Sequence, residues 1–306
     1  MIRLPWPRLT SDVKRLLVLM VPGIIGAGVV QINLVVDIIL ATLLTEGSVS
    51  WLYYADRVNQ LPLGVVGVAV GVALLPMLSR QLGAGDLEAA LDTQNRAIEF
   101  SLFLCIPAAA ALVVLAEPIV TVLFQRGEFS PSDATATARA LMAFALGLPA
   151  FVLIKALVPG FFARQDTATP VKIAVVAMVV NVGLALALMQ VFAHAGLALA
   201  TALTAWLNAF ALAIVLVRRG HYRMDLKFKR RLPRTIFSAA IMVVGLWVGV
   251  DFFGYAFTSD ALAAGETLRI FLLVSLILAG LVLFFGAAQL TGAMRFGDLR
   301  NALRRP

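Results

Sequence analysis

Residues 51–80 read WLYYADRVNQLPLGVVGVAVGVALLPMLSR. At ~1.5 Å per residue the stretch is long enough to cross ~30 Å of hydrocarbon as a helix. An acid and a base, Asp56 and Arg57, stand about two turns in from its start. Ionisable groups at that depth are costly, and they are tolerated where they face a wet cavity or a partner. Pro62, Gly64, Gly67, Gly71 and Pro76 follow. Gly67 and Gly71 form a GxxxG that admits another helix closely, and the prolines free backbone carbonyls and bend the helix. The stretch reads as a moving, cavity-lining part and not as a passive anchor.

Working outward, the composition agrees. Hydrophobic residues make up 61% of the 306 and charged residues 14%, which places the chain among membrane proteins. Eight apolar runs qualify as spans: 16–44, 51–78, 95–116, 136–162, 171–192, 197–217, 235–257 and 268–290. The expected fold is therefore an all-α polytopic membrane protein with eight transmembrane helices. Its parts are a basic lead-in (1–15), a six-helix lobe (16–217), a basic loop (218–234), a two-helix C-terminal pair (235–290) and a basic tail (291–306). Pro22-Gly23, Pro107, Pro149 and Pro159-Gly160 read as breaks like those of transporters that bind substrate near the midplane, or as ordinary kinks.

The charge of +8 raises nucleic acid as a partner, but its distribution argues otherwise. Twenty of the 25 Lys and Arg fall on alternate connectors, four on the others, and Lys155 lies inside a span. By the positive-inside rule both termini and the loop 218–234 are cytoplasmic, so the basic balance marks orientation and anionic membrane lipid. The lead-in does not read as a cleaved leader. Cys105 sits alone in an apolar run, and His194 and His221 read as loop or headgroup residues.

The first two spans make a hairpin turning near residues 47–48. Asp37 lies about ten residues before the turn and Arg57 about ten after, so both reach roughly 15 Å depth. They form either a structural ion pair or the two halves of a site in which the base meets an anion and the acid a cation. Asp56 is the nearer partner for Arg57, and Asn33 stands one turn before Asp37. The planar fork of Arg57 suits phosphate. Asn181 and Thr201 flank the turn 193–196 at depths that bracket Asp37. Carboxylate, amide and hydroxyl oxygens suit a hard cation such as sodium, while for the last two spacing alone favours interhelical hydrogen bonding. Lys155 either snorkels, pairs or faces the cavity. There is no nucleophile with a base partner and no phosphate-cradling glycine loop, so an enzyme is not expected.

Three stretches carry a family resemblance: QINLVVDIILATLLTEGSVS running into the 51–80 segment, then VLFQRGEFSPSDA, then KALVPGFFARQDTATPVKIA. They resemble the MurJ (MviN) family of lipid II flippases, in the multidrug/oligosaccharidyl-lipid/polysaccharide exporter superfamily. The likeness is to the C-terminal part of that family, its second six-helix lobe and the two helices that follow, with the first lobe not represented. The resemblance implies that Arg57 engages the pyrophosphate of the lipid-linked substrate, with Asp56 tuning it; Lys155 is taken as a further cavity candidate. It also implies that Asp37, Asn181 and Thr201 belong to a sodium site, and that the last two helices form a groove for the polyprenyl tail. Ala185 departs from the pattern where a sodium-binding member has a further carboxylate. The expected function is translocation of the undecaprenyl-linked peptidoglycan precursor, lipid II, from the inner to the outer leaflet of the bacterial cytoplasmic membrane. It would be driven by potential or cation, with a first lobe as partner in cis or trans. The alternatives are another exporter of the superfamily and a truncated, non-transporting membrane fragment.

Overall fold

The structure, a computed structural model, describes residues 11–253, 257 and 266–293. Residues 1–10 of the lead-in, the tail from 294 and most of the connector after Phe253 lie outside the described residues. Helices form α1 (Ser11–Thr42), α2 (Ser48–Pro62), α3 (Ala69–Gly83), α4 (Leu87–Val114), α5 (Ala116–Phe124), α6 (Pro131–Phe162), α7 (Ala168–Arg218), α8 (Leu226–Phe253) and α9 (Glu266–Thr291). Among the described residues, six helices are long and apolar enough to cross a membrane, α2 and α3 counting as one. At 51 residues α7 would extend ~76 Å, more than twice the hydrocarbon thickness. It doubles back at Ala193, whose φ of 50° and ψ of −130° are not helical, within the expected turn. With α7 as two arms and α1 counted, each expected span lies on helix over most of its described length.

The prolines act less drastically than expected. α4 and α6 run unbroken through Pro107, Pro149 and Pro159, all buried among neighbouring helices. In a bundle, packing and small local adjustments compensate for the missing N–H. Among the described residues only the second span changes winding. Past Pro62, residues Leu63–Val68 form a π-helix before α3 resumes the α form. Pro62 cannot donate to the Val58 carbonyl, and the wider π turn absorbs the mismatch.

Small residues bring the helices together, as they must where lipid supplies no hydrophobic drive between spans. α6 and α7 share the most extensive contact. There, a Cβ on Gly147 would stand 2.8 Å from Ala202 Cα. The GxxxG of the second span meets α6 at Lys155: a Cβ on Gly67 would lie 2.6 Å from Lys155 Cδ. A second GxxxG, Gly245 and Gly249 of α8, receives Leu283 and Leu276 of α9. α1 docks on both arms of α7 through Leu40, Ala41, Ala185, Leu197 and Ala200.

Two boundaries differ from the sequence reading. Between the expected spans 95–116 and 136–162, Ala116–Phe124 is helical, and Ser130 and Asp133 cap α6 with a reciprocal box. The expected loop 218–234 is half helix, because Asp225 Oδ1 accepts from Phe228 N at 2.7 Å and starts α8 at Leu226. Phe228 is then buried in the lobe's core. Asp225 also pairs with Arg96 of α4, and Glu99 pairs with both Arg96 and, at 2.8 Å, Arg231. α8 and α9 thus form their own core with Phe103 of α4 and are clamped to the lobe by these charges. Glu99→Gln would leave two guanidinium groups facing a neutral amide. It should cost about 1.5–3 kcal/mol, read as a lower midpoint of thermal unfolding in detergent.

The connectors meet in two sets, as alternating spans require. On the basic face Arg219 pairs with Asp166 at 2.5 Å, and Arg164 reaches the His221 carbonyl at 3.3 Å. Partial burial pushes the Asp166 carboxyl up, but hydrogen bonds from Thr169 and the charge of Arg219 outweigh it and hold it below the usual carboxylate range. On the other face Trp51 Nε1 donates to Asp133 at 2.8 Å, and His194 Nε2 lies 2.8 Å from the Ala136 carbonyl. Arg126 meets Glu266 there at 3.2 Å.

Candidate functional site

Among the described residues, the expected site residues gather in two polar groups within the bundle. The first joins α1 to the first arm of α7. Asn33 and Asp37 are one turn apart, so they share a face, and Asn33 Nδ2 donates to Asp37 Oδ2 at 3.1 Å. Asn181, only 2% exposed, donates through Nδ2 to Asn33 Oδ1 at 2.9 Å and to Asp37 Oδ1 at 3.2 Å. Both Asp37 oxygens therefore accept from amides. The ion-pair reading does not hold: Asp37 is bound by the two asparagines, and among the described residues neither it nor Arg57 makes an ion pair.

Asn181 Oδ1 is buried without a hydrogen-bond partner. A carbonyl oxygen so placed is expensive to leave unmet, and beside a carboxylate it suits a hard cation that takes oxygen ligands. The donor set thus fits sodium in chemistry, with one carboxylate. Thr201 makes no hydrogen bond to these groups among the described residues; its Oγ1 donates to the Leu197 carbonyl of its own arm at 3.1 Å. Ala185 is fully buried and packs against α1, so a methyl group stands one turn beyond Asn181.

The second group lies on α2. Arg57 is exposed, its guanidinium 4.7 Å from the centre of the Tyr53 ring and its Nη1 3.3 Å from Gln60 Oε1. Asp56 is bound by Gln60 and not by Arg57. Lys155 is half-buried, its stem against Gly67 in the π segment. No acceptor engages its ammonium among the described residues. The π winding and Lys155 lie where the second span meets α6, while Arg57 stands on the exposed side of α2.

The sequence reading passed over Gln60 and Tyr53. Their signal was present in helical spacing: Tyr53, Arg57 and Gln60 stand at i, i+4 and i+7. It also missed the bracket of Trp51, Asp133 and His194 across the non-basic face, where Trp51 meets His194 edge-on at 4.9 Å.

A family model described as "Lipid II flippase MurJ" matches residues 2–265. A relative in Rhizobium meliloti (strain 1021), "Probable lipid II flippase MurJ", is 47% identical over 299 residues, covering 98% of this chain and 55% of its own length. The chain thus spans about half the length of the curated relatives it matches. Of solved structures, "Lipid II flippase MurJ, inward closed conformation" aligns over 97% of this chain and 57% of its own, with a TM-score of 0.72 at 23% identity. An outward-facing multidrug resistance MATE family transporter of the MOP superfamily aligns over 88% of this chain and 63% of its own, with a TM-score of 0.54 at 19% identity. These two likenesses concern the fold, an all-helical membrane architecture, while the family match and the sequence identity concern descent. The chain belongs to the lipid II flippase MurJ family.

Proposed function

We propose that this chain is the C-terminal part of a lipid II flippase in the bacterial cytoplasmic membrane, both termini cytoplasmic. The whole protein moves the undecaprenyl-linked peptidoglycan precursor from inner to outer leaflet by alternating access. The observation that carries the reading is Arg57: an exposed cation within a span, held by an aromatic ring and an amide and by no carboxylate among the described residues. A charge so placed calls for water or an anion, and its planar fork matches the oxygens of a pyrophosphate. Lys155, where the second span meets α6, supplies a second cation, and Asp56 tunes the charge. A first lobe, in cis or trans, completes the cavity. The apolar trough lined by Phe237, Ile241, Val282, Leu283 and Leu290 between α8 and α9 suits the lipid tail.

Complementation of lethal flippase depletion tests the reading, with this chain alone and with a first lobe added. Rescue that requires the added lobe supports it; failure in both formats despite membrane expression overturns it. The cycle is driven by potential or cation, and each charge crossing gains about 2.3 kcal/mol per 100 mV. Asp37, Asn181 and Asn33 are the proposed sodium contacts, with Thr201, whose oxygen keeps its lone pairs while it donates to Leu197, as a further proposed ligand. Asp37→Asn keeps the shape and removes the anion, so the cation dependence of transport should fall. Unchanged cation dependence removes sodium from the mechanism.

A further inference from the structure

Gln60 stands between the acid and the base of the second span. Its amide nitrogen donates to Asp56 Oδ2, one turn earlier, and its carbonyl oxygen accepts from Arg57 Nη1 at 3.3 Å. The two ends of one amide are thus matched to neighbours of opposite charge. Sequence-adjacent residues project in different directions from a helix and do not face each other, so Asp56 and Arg57 need a rotamer change to meet. The amide removes the incentive for that change, because each charge already has a neutral partner. Tyr53 closes the other flank, its ring centre 4.7 Å from the guanidinium carbon. Tyr53, Arg57 and Gln60 are all exposed, so the arrangement opens off the helix surface.

We propose that Gln60 is a positioning residue that keeps the Asp56 carboxylate off Arg57, so that the guanidinium meets an anion of the phosphate class with its charge uncancelled. The proposal rests on the reading of Arg57 as the anion contact. A guanidinium paired to a carboxylate has donors occupied in that fork; one held by a single carbonyl keeps most of its five N–H groups for a ligand. The same amide gives Asp56 a reason to stay where it is. Sequence spacing hides this, because Asp56 and Arg57 together look like an ion pair.

The test is titration of the chain in lipid nanodiscs with inorganic pyrophosphate, read by the ³¹P resonance of the probe. Gln60→Ala should weaken binding roughly tenfold, because Asp56 then turns to Arg57. Adding Asp56→Asn to Gln60→Ala should return the affinity to near the parent, which a merely structural role for Gln60 would not allow. Parental affinity in Gln60→Ala, or no recovery in the double variant, overturns the proposal. Undiminished binding by Arg57→Ala, or none by the parent, instead overturns the reading of Arg57 on which it rests.

Discussion

Arg57→Ala, in the chain joined to a first lobe, should abolish growth of a flippase-depleted strain while the protein still reaches the membrane in normal amount. The two halves of that expectation have separate causes. Folding should survive because the guanidinium is exposed and its partners are the Tyr53 ring and the Gln60 carbonyl. Neither is a buried charge left unmatched, and exposed substitutions of this kind usually stay within about 0.5 kcal/mol. Transport should fail because charge-assisted hydrogen bonds to a phosphate contribute about 1.5–3 kcal/mol each, and a fork makes two. Losing both corresponds to a factor on the order of 10² to 10⁴ in binding. Arg57→Lys separates charge from geometry: the ammonium keeps the charge and loses the bidentate fork, so partial rescue is expected. Wild-type growth from the alanine variant would remove the pyrophosphate role.

Much of this fold could be read from the chain because a membrane span advertises itself over about 20 residues. The turn of α7 was legible as a short polar interruption, HAG, and the basic connectors marked one face. What failed was the meaning of individual prolines. Pro107, Pro149 and Pro159 look alike in sequence to Pro62, yet only Pro62 precedes a change of winding. The difference is three-dimensional: behind Pro62 lie Gly64 and Gly67, which have no side chain to resist a wider turn, and Lys155 fills the space beside Gly67. The start of α8 was misplaced for another reason. Hydropathy cannot see a helix whose first two turns are LKFKRRLPR, whereas the capping aspartate before it, Asp225, could have been read.

The site divides in the same way. Equal depth brought Asp37 and Arg57 to attention, but depth is one coordinate, and facing direction decided their partners. The structure gives Asp37 to Asn33 and Asn181, a contact between residues 144 positions apart in the chain. Thr201 was placed near by the same depth arithmetic, and its hydroxyl closes on its own helix. Serine and threonine in apolar helices often bond back to the carbonyl one turn before, so a hydroxyl at the right depth is a weak indicator.

The hairpin of α7 supports the second large prediction. Gly196→Ala should prevent stable folding, seen as loss of monodisperse protein on extraction and of any cooperative thermal transition. After the reversal at Ala193, the second arm passes so close to the first that a Cβ on Gly196 would lie 2.3 Å from Leu188 O, 2.5 Å from Leu188 C and 2.9 Å from Met189 N. All three are backbone atoms in a helix, so no rotamer change relieves the overlap and the arms themselves must separate. Separation breaks more than one contact, because α1 is seated on both arms at once, with Ala185 on one and Leu197 and Ala200 on the other. Asn181 lies one turn from Ala185, so a displaced first arm also withdraws the amide from Asp37. Overpacking a tight interior costs about 1–3 kcal/mol even where side chains can yield, and here only backbone can. Gly183→Ala, in the first arm of the same helix, is the control: a Cβ there meets nothing within 4 Å. It should be neutral or stabilising by up to about 1 kcal/mol, as alanine is over glycine in a helix. Equal tolerance of the two substitutions would show that the arms stand further apart than this packing requires.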